Sequence, residues 1–283
     1  MTVKNNHQQY LNLRKEYSTF EYQSYSFCFN NGNLEAEFCF SLDNQVLFKP
    51  TVCIPLKDFF GPNLDSNLLS NFVFHIGMVE LVSYWKAACP PNVVIKPHSL
   101  NYDQIKWWKK LYFNGLGEFF YLNGVDVDEI SFMSITSDGD PLGISDIELD
   151  NDKVIVPIGG GKDSVVTLEL LKNSSLEIIP LIVNPREASI RTIETGGYKK
   201  EQSIIVKRTI DPKLLELNSR GYLNGHTPFS AMLAFTGALC CAISGISNIA
   251  LSNESSANES TVPGSNINHQ YSKSFEFETS FNL

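Results

Sequence analysis

The stretch VIVPIGGGKDSVVTLELL, residues 154–171, carries the strongest structural signal in the chain. A run of apolar, β-forming residues leads directly into three consecutive glycines, and the residues from Lys162 onward have the pattern of a helix. This pattern predicts a buried strand, a glycine loop and a helix in that order. Bare backbone N–H groups and the positive end of a helix dipole then meet at one point, which favours the binding of an anion.

The residue types in this loop suit a phosphate. Glycine lets the backbone approach a phosphate closely, with φ angles that other residues resist. Lys162 adds a point charge, and Ser164 adds a hydroxyl donor. The predicted phosphate-binding residues are Gly159, Gly160, Gly161, Lys162, Asp163 and Ser164. The alternative is a glycine-rich turn that binds no ligand.

Short apolar strands and helices alternate after Lys153. The predicted strands cover residues 154–158, 176–183, 203–206 and 249–252, and the predicted helices cover residues 164–171 and 228–243. Apolar strands that are separated by helices are typical of a doubly wound parallel α/β sheet. Ligands bind at the carboxyl ends of the strands in such sheets.

The part of the chain before this sheet has a different pattern. Residues 25–55 predict antiparallel strands, and residues 66–86 and 102–113 predict helices. We therefore expect a smaller N-terminal α+β domain over residues 1–128 and the sheet domain over residues 153–283. Residues 129–152 join the two, and their acidic composition favours a solvated linker.

Charge and composition exclude several classes of function. The chain has 283 residues, with 22 Lys and Arg against 31 Asp and Glu, and no stretch is basic enough to hold a nucleic acid. The start has no apolar signal segment, and the six cysteines lack metal-finger spacing, so we predict a cytoplasmic protein with free thiols. Residues 221–253 are uncharged, but glycine and polar interruptions favour a buried helix and strand over stable membrane insertion.

The glycine loop differs from two familiar nucleotide-binding patterns. A Walker A loop needs Ser or Thr directly after Gly-Lys, where this chain has Asp163, and the G-x-G-x-x-G spacing is absent. Residues 159–164 instead resemble the S-G-G-x-D-S loop of the ATP pyrophosphatase (PP-loop) superfamily, with Gly159 where Ser is usual. The resemblance implies cleavage of ATP to AMP and pyrophosphate with Mg²⁺. Asp163 is the candidate metal ligand, and its alternative role is to cap the following helix.

Three further stretches narrow the resemblance. They are NGHTPFS at residues 224–230, SNESSAN at residues 252–258 and NHQYSKSFEFE at residues 268–278. Together with IGGGKDS, they resemble the bacterial UDP-N-acetyl-α-D-muramoyl-L-alanyl-L-glutamate epimerases. The resemblance implies an ATP- and Mg²⁺-dependent isomerase that converts the terminal L-Glu of UDP-MurNAc-L-Ala-L-Glu to D-Glu for peptidoglycan synthesis. Because that family is longer, we expect the chain, which ends at residue 283, to be truncated at its C-terminus.

Such a reaction needs one group that takes the α-proton and another that returns it on the opposite face. The candidates for proton transfer are His226, His269, Lys273 and Glu254, with Tyr271 as a further candidate. The candidates for substrate binding are Arg186, Arg191, Asn253, Asn258 and Tyr271. His226 has two alternative roles, hydrogen bonding at the start of the following helix and contact with a phosphate. The alternative for Lys273 is pairing with a substrate phosphate or carboxylate, and the alternative for Arg186 and Arg191 is surface solubility.

Two other classes of function stay open. Another PP-loop enzyme, such as an amide ligase or a tRNA-modifying enzyme, would share the loop. A non-catalytic adenine-nucleotide-binding module would bind ATP without releasing AMP. In the favoured interpretation, the N-terminal domain holds the UDP-sugar end of the substrate.

Overall fold

A computed structural model describes residues 3–56, 65–143, 147–262, 264 and 267–281 of the chain. Its helices are α1 (His7–Glu16), α2 (Ser66–Trp85), α3 (Tyr102–Gly115), α4 (Gly117–Asn123), α5 (Lys162–Leu171), α6 (Glu187–Thr195), α7 (Pro212–Ser219), α8 (Phe229–Ser244) and α9 (Phe275–Phe281). Its strands are β1 (Thr19–Asn30), β2 (Asn33–Leu42), β3 (Val46–Phe48), β4 (Thr51–Pro55), β5 (Asn92–Ile95), β6 (Ser134–Ser137), β7 (Asp150–Pro157), β8 (Glu177–Val183), β9 (Ile204–Thr209) and β10 (Ile246–Ile249). Short 3-10 turns cover Lys200–Gln202, Ser255–Asn258 and Tyr271–Lys273.

The strands form one mixed sheet in the order β10-β7-β8-β9-β4-β2-β1-β5-β6, with β3 paired to β2. Strands β10, β7, β8 and β9 are parallel, whereas β1, β2 and β4 are antiparallel, which confirms both strand arrangements predicted from the sequence. The two parts join through the antiparallel pair of β4 and β9, where Val52 lies opposite Arg208. One sheet therefore runs through both predicted domains. The residue boundaries of these domains stay a prediction.

The parallel part of the sheet has a point at which the strand order reverses. Strands β8 and β9 follow β7 on one side, and β10 lies on the other side of β7. The segments that leave the carboxyl ends of β7 and β10 therefore border one crevice, and open α/β sheets bind their ligands in such crevices. The glycine loop follows β7 directly, so the strand order places it there.

The hydrophobic core is shared by the two parts of the sheet. Helix α2 packs against β1, β2 and α8, so it touches both parts. A close approach requires glycine at position 77, because a Cβ on Gly77 would lie 2.0 Å from the hydroxyl oxygen of the fully buried Tyr22. The charged residue of α2, Glu80, is also fully buried and pairs with Arg208 of β9.

The last parallel strand begins earlier than the sequence predicts. Strand β10 covers Ile246–Ile249 rather than residues 249–252. Helix α8 ends at Ser244, the next residue is Gly245 with a left-handed φ of 68°, and the strand follows at once. The polar side chains of Ser247 and Asn248, which obscure the strand in the sequence, hydrogen-bond to the backbone of β7 at 3.0–3.1 Å.

Several short elements have no counterpart in the sequence-based predictions. These are α1, α4, α6, α7, α9, β5 and β6. Strand β6 lies inside the acidic stretch and pairs in parallel with β5. Only Ile135 is buried in β6, so the alternation of apolar and polar residues is too short to be recognised. Residues 144–146 of the acidic stretch lie outside the described residues.

Two helices are strongly apolar. Among the described residues, α2 is the one helix that is long and apolar enough to cross a membrane, and 78% of its apolar window is buried inside the protein. Helix α8, which covers much of the uncharged stretch, is shorter and contributes most of its residues to the core.

Candidate functional site

A cavity of about 120 Å³ lies where the carboxyl ends of β7 and β10 meet. It is lined by Pro157, Gly159, Gly161, Asp163, Ser164, Ser230, Leu233, Leu251, Ser252, Asn253, Ser272 and Lys273. The structure therefore brings the glycine loop together with Asn253 and Lys273, although these residues are far apart in the sequence. Larger cavities lie elsewhere among the described residues: one of about 510 Å³ beside α3 and α4, one of about 620 Å³ at the start of β8, and one of about 200 Å³ between α5 and α6. None of these three is lined by the glycine loop.

The three glycines of the loop have different roles. Gly160 has a φ of 85°, and a Cβ on it would lie 2.7 Å from the backbone nitrogen of Ser189 in α6. Both the conformation and the lack of space require glycine at this position. A Cβ on Gly159 or Gly161 would meet nothing within 4 Å, so the backbone at these two positions is bare beside the cavity. The Ser164 hydroxyl donates to the Gly161 carbonyl at 2.9 Å and holds the loop against the first turn of α5.

Lys162 contacts two carboxylates beside the cavity. Lys162 Nζ lies 2.7 Å from Asp163 Oδ1 and also forms an ion pair with Glu254 Oε2. The hydrogen bonds to Asp163 and Glu254 raise the pKa of Lys162, and the hydrogen bond from Lys162 lowers the pKa of Glu254. The ammonium group of Lys162 is thus paired with two carboxylates, one at the start of α5 and one after β10, on opposite sides of the crevice.

Asp163 and Glu254 are the side chains here that suit a divalent cation. Their contacts with the Lys162 ammonium group mark a position that is favourable to positive charge. Mg²⁺ usually takes one or two protein carboxylates together with phosphate oxygens and water. No group of three or more His, Cys, Asp or Glu side chains that could hold a metal occurs in the described part of the chain. The donor set therefore fits Mg²⁺ that arrives with a phosphate.

Hydrogen bonds connect the walls of the cavity to each other and to α9. Thr167 Oγ1 of α5 and Ser252 Oγ after β10 are 2.9 Å apart. Asn253 Nδ2 donates to Glu278 Oε2 of α9 at 3.2 Å. Asn258 lies outside the cavity lining and accepts a hydrogen bond of 2.8 Å from the first backbone N–H of α9. Asn253 therefore lines the cavity, whereas Asn258 caps a helix.

The two predicted histidines lie next to each other. The ring centroids of His226 and His269 are 6.3 Å apart, and the rings meet at 76°. His226 lies four residues before Ser230, and His269 lies four residues before Lys273; both Ser230 and Lys273 line the cavity. The histidine pair therefore lies on the segments that lead into the cavity wall.

A carboxylate that the sequence analysis missed faces this pair. Glu118 Oε2 of α4 lies 3.9 Å from His226 Nδ1. Burial lowers the pKa of His226, and the Glu118 charge offsets part of that effect. On the other side, His269 Nδ1 hydrogen-bonds to Thr261 Oγ1 at 2.6 Å. No local motif around Glu118 marks it, because the contact arises only when α4 folds against the segment before α8.

Besides Asn258, the structure places three other predicted substrate-binding residues away from the cavity lining. Arg186 is exposed and its backbone N–H donates to Ser189 Oγ at the start of α6. Arg191 forms an ion pair with Glu187 on the same helix. Tyr271 is 7% exposed and packs in the core.

Comparisons with known proteins agree with the sequence resemblance. A protein-family model described as the MurL N-terminal domain matches residues 12–283. The chain is 30% identical, over 92% of its length, to a Salinispora tropica protein named UDP-N-acetyl-alpha-D-muramoyl-L-alanyl-L-glutamate epimerase. Proteins of the same name from Micromonospora sp. and Xanthomonas oryzae pv. oryzae are 31% and 29% identical over 92% and 87% of the chain.

These relatives are longer than the chain. The matched regions cover 56%, 58% and 54% of the Salinispora, Micromonospora and Xanthomonas proteins, so the chain spans about half the length of the curated relatives it matches. No solved structure matches the chain.

Proposed function

Because the chain belongs to the MurL N-terminal domain family, we propose that it carries the ATP-binding and proton-transfer residues of an ATP-dependent epimerase. Its substrate is UDP-MurNAc-L-Ala-L-Glu, since the relatives bear the name of the epimerase for that compound. The observation that carries the proposal is the position of the glycine loop at the reversal of strand order, with Lys162 and Asp163 opening α5. Bare backbone N–H groups at a helix start are suited to phosphates.

The proposed reaction activates the α-carboxylate of the terminal glutamate. A carboxylate oxygen attacks the α-phosphorus of ATP, and pyrophosphate leaves. A free carboxylate makes its own α-proton very weakly acidic, because removal of the proton accumulates negative charge. The acyl adenylate, a mixed anhydride, lifts this obstacle because the carboxylate charge is gone. After the proton has been removed from one face and another has been added on the opposite face, water attacks the acyl carbon and AMP leaves with one carboxylate oxygen. The products are the D-Glu epimer, AMP and pyrophosphate.

We assign the loop to the phosphates of ATP, in the manner of a PP-loop fold. The backbone at Gly159 and Gly161 and the ammonium group of Lys162 bind the β- and γ-phosphates. Mg²⁺ held by Asp163 would shield the charge of these phosphates. Glu254, a candidate for proton transfer in the sequence, contacts Lys162, so we place its role at the phosphate end of the site.

We assign the two faces of the α-carbon to different groups. A carbon between two proton-transfer nitrogens needs about 3 Å on each side. The rings of His226 and His269 are 6.3 Å apart between centroids and lie in edge-to-face contact, which leaves no room for a carbon between them. The histidine pair therefore serves one face, and Lys273, which lines the cavity, serves the other.

Single substitutions test this assignment through exchange of the α-proton in D₂O. With Mg-ATP and the L-Glu or D-Glu substrate, Lys273→Met is expected to exchange deuterium into only one epimer, and His226→Asn into only the other. Each variant keeps the proton-transfer group on one face of the α-carbon and loses the group on the other face. The rate of full epimerisation should therefore fall at least about 100-fold. Mass spectrometry of the recovered glutamate measures both quantities.

Lys172→Met, which removes an exposed lysine that pairs with Glu169, is the matched control and should behave like the unchanged chain. Exchange of the same epimer by both variants would contradict the assignment to two faces. Loss of AMP formation in Lys273→Met would assign Lys273 to a phosphate instead.

The same reaction mixture separates the other classes of function. AMP formation without α-deuterium would favour an amide ligase or another PP-loop enzyme, and ATP binding without AMP would favour a nucleotide-binding module. A thiol-dependent tRNA-modifying enzyme has little support at this site, because Cys240 and Cys241 are buried in α8, and burial raises the pKa of Cys241 to about 12. We further propose that the protein acts in the cytoplasm and that the N-terminal strands and helices hold the UDP-sugar.

A further inference from the structure

The segment that carries His226 is held by polar side chains of the N-terminal part. Lys86, at the end of α2, donates from Nζ to the Gly225 carbonyl at 2.5 Å. Asn123 of α4 donates to the Asn224 carbonyl at 3.2 Å. Two consecutive carbonyls directly before His226 are thus bound by groups from two different helices.

Close packing fixes the same segment from the side. A Cβ on Gly225 would lie 3.0 Å from Phe119 Cδ2 in α4, and a Cβ on Gly115 of α3 would lie 2.7 Å from Pro228 Cβ. The backbone around His226 therefore has little freedom to shift, and α4 sets the distance between its own side chains and the imidazole.

Glu118 is the residue of α4 that faces this imidazole. Its side chain is 14% exposed, and its Oε2 lies 3.9 Å from His226 Nδ1, beyond hydrogen-bond length but within the range of an ion pair. The other charged or titratable groups that act on His226 are His269 and the ammonium group of Lys86. Burial and the nearby positive charge lower the pKa of His226, and Glu118 is the negative group that raises it.

We propose that Glu118 is the positioning residue of His226 and stabilises its protonated form during proton transfer. This inference rests on the proposed function. The carboxylate faces Nδ1, so the other ring nitrogen, Nε2, is the one left to exchange a proton with the substrate. Contacts of this kind are often long without substrate and shorten in the reacting complex. His226 then accepts the proton at Nε2, and Glu118 balances the positive charge without itself taking a proton.

The charge contact is tested by NMR titration of the histidine rings, without any substrate. The chain has five histidines, and His226→Asn identifies the signal of His226. Glu118 raises the pKa of His226, so its removal in Glu118→Gln should lower that pKa, whereas Glu118→Asp should keep most of the effect. Glu216→Gln, on an exposed glutamate that pairs with Arg220, is the matched control and should leave the signal unchanged.

The role in the reaction is tested by deuterium exchange at the glutamate α-carbon over a range of pH. Glu118→Gln is expected to slow exchange from the epimer that His226 deprotonates by about tenfold or more, with KM unchanged, and to move the acidic limb of the pH profile to lower pH. Glu118→Asp should recover part of the rate. A purely structural role would lower the melting temperature and leave the pH profile in place.

Two results would overturn the inference. One is an unchanged pKa of His226 in Glu118→Gln, and the other is a shifted pKa with an unchanged rate of exchange and pH profile. If the unchanged chain releases AMP but exchanges no α-proton, the proposed epimerisation fails and Glu118 loses its role in that reaction, while the titration still reports whether Glu118 and His226 interact. The two failures are therefore distinguishable.

Discussion

Replacing Gly161 with Ala is expected to slow the substrate-dependent exchange of pyrophosphate into ATP about 100-fold, with no loss of thermal stability. Gly161 has a φ of −93°, which Ala adopts readily, and the added Cβ meets nothing within 4 Å. The folded chain therefore accepts the methyl group. In the proposed site the same methyl group occupies the space through which a phosphate approaches the backbone, so the phosphates are displaced. Labelled pyrophosphate, ATP and UDP-MurNAc-L-Ala-L-Glu measure the exchange.

Gly160→Ala is the matched comparison and should fail for a different reason. Its Cβ would lie 2.7 Å from the Ser189 nitrogen and 2.8 Å from the Ala188 carbonyl carbon, and the φ of 85° adds strain. This variant should lose exchange and also melt at a lower temperature. If Gly161→Ala kept the full exchange rate, the phosphates would not approach this glycine, and the loop would be a turn without a ligand.

The second large effect is on stability. Replacing Arg208 with Met is expected to lower the free energy of unfolding by about 3–5 kcal/mol, because it leaves a buried carboxylate without its partner. Arg208 of β9 binds Glu80 of α2 through two hydrogen bonds of 2.8 Å, and the Glu80 side chain is fully buried. Urea unfolding of this variant and of Lys207→Met, at the exposed neighbouring position, measures the difference.

This loss of stability should depend on pH. Burial raises the pKa of Glu80 even with Arg208 present, so without Arg208 the carboxyl group of the folded variant is more strongly held in its protonated form. A group whose pKa is higher in the folded state stabilises the fold below its unfolded pKa and loses that effect as the pH rises through its folded pKa. The free energy of unfolding of Arg208→Met should therefore be closer to that of the unchanged chain at acidic pH than at neutral pH. The double variant Glu80→Gln, Arg208→Met should show less pH dependence, and equal losses at all pH values would contradict this account.

The sequence predicts the elements that carry the loop because their patterns are local. Three features appear within residues 154–171: an apolar run, three glycines and a helical period. Helix α2 and strand β8 are equally clear, since long apolar runs dominate them. Helices α6 and α7 were not predicted because each has only two buried residues, which gives too weak a period.

The contacts that assemble the site are invisible in the sequence. Strands β4 and β9 each look like ordinary apolar segments, and no local feature of either sequence identifies the other as its pairing partner. Lys162 and Glu254 are 92 residues apart, and their ion pair depends on β7 and β10 being neighbours. Glu118 meets His226 only through the packing of α4 against the segment before α8. In contrast, the sequence predicts Asn253 and Lys273 as site residues because each lies within a stretch that carries the family resemblance.

The most direct test of the account labels both carboxylate groups of the terminal glutamate with ¹⁸O and follows the label in D₂O. With Mg-ATP, the account predicts AMP that contains one ¹⁸O from the substrate, together with a D-Glu product that carries deuterium at its α-carbon. The label reaches AMP only if a carboxylate oxygen has bonded to the α-phosphorus. AMP without ¹⁸O, or a deuterated D-Glu product that forms without ATP, would contradict adenylation as the step that makes epimerisation possible.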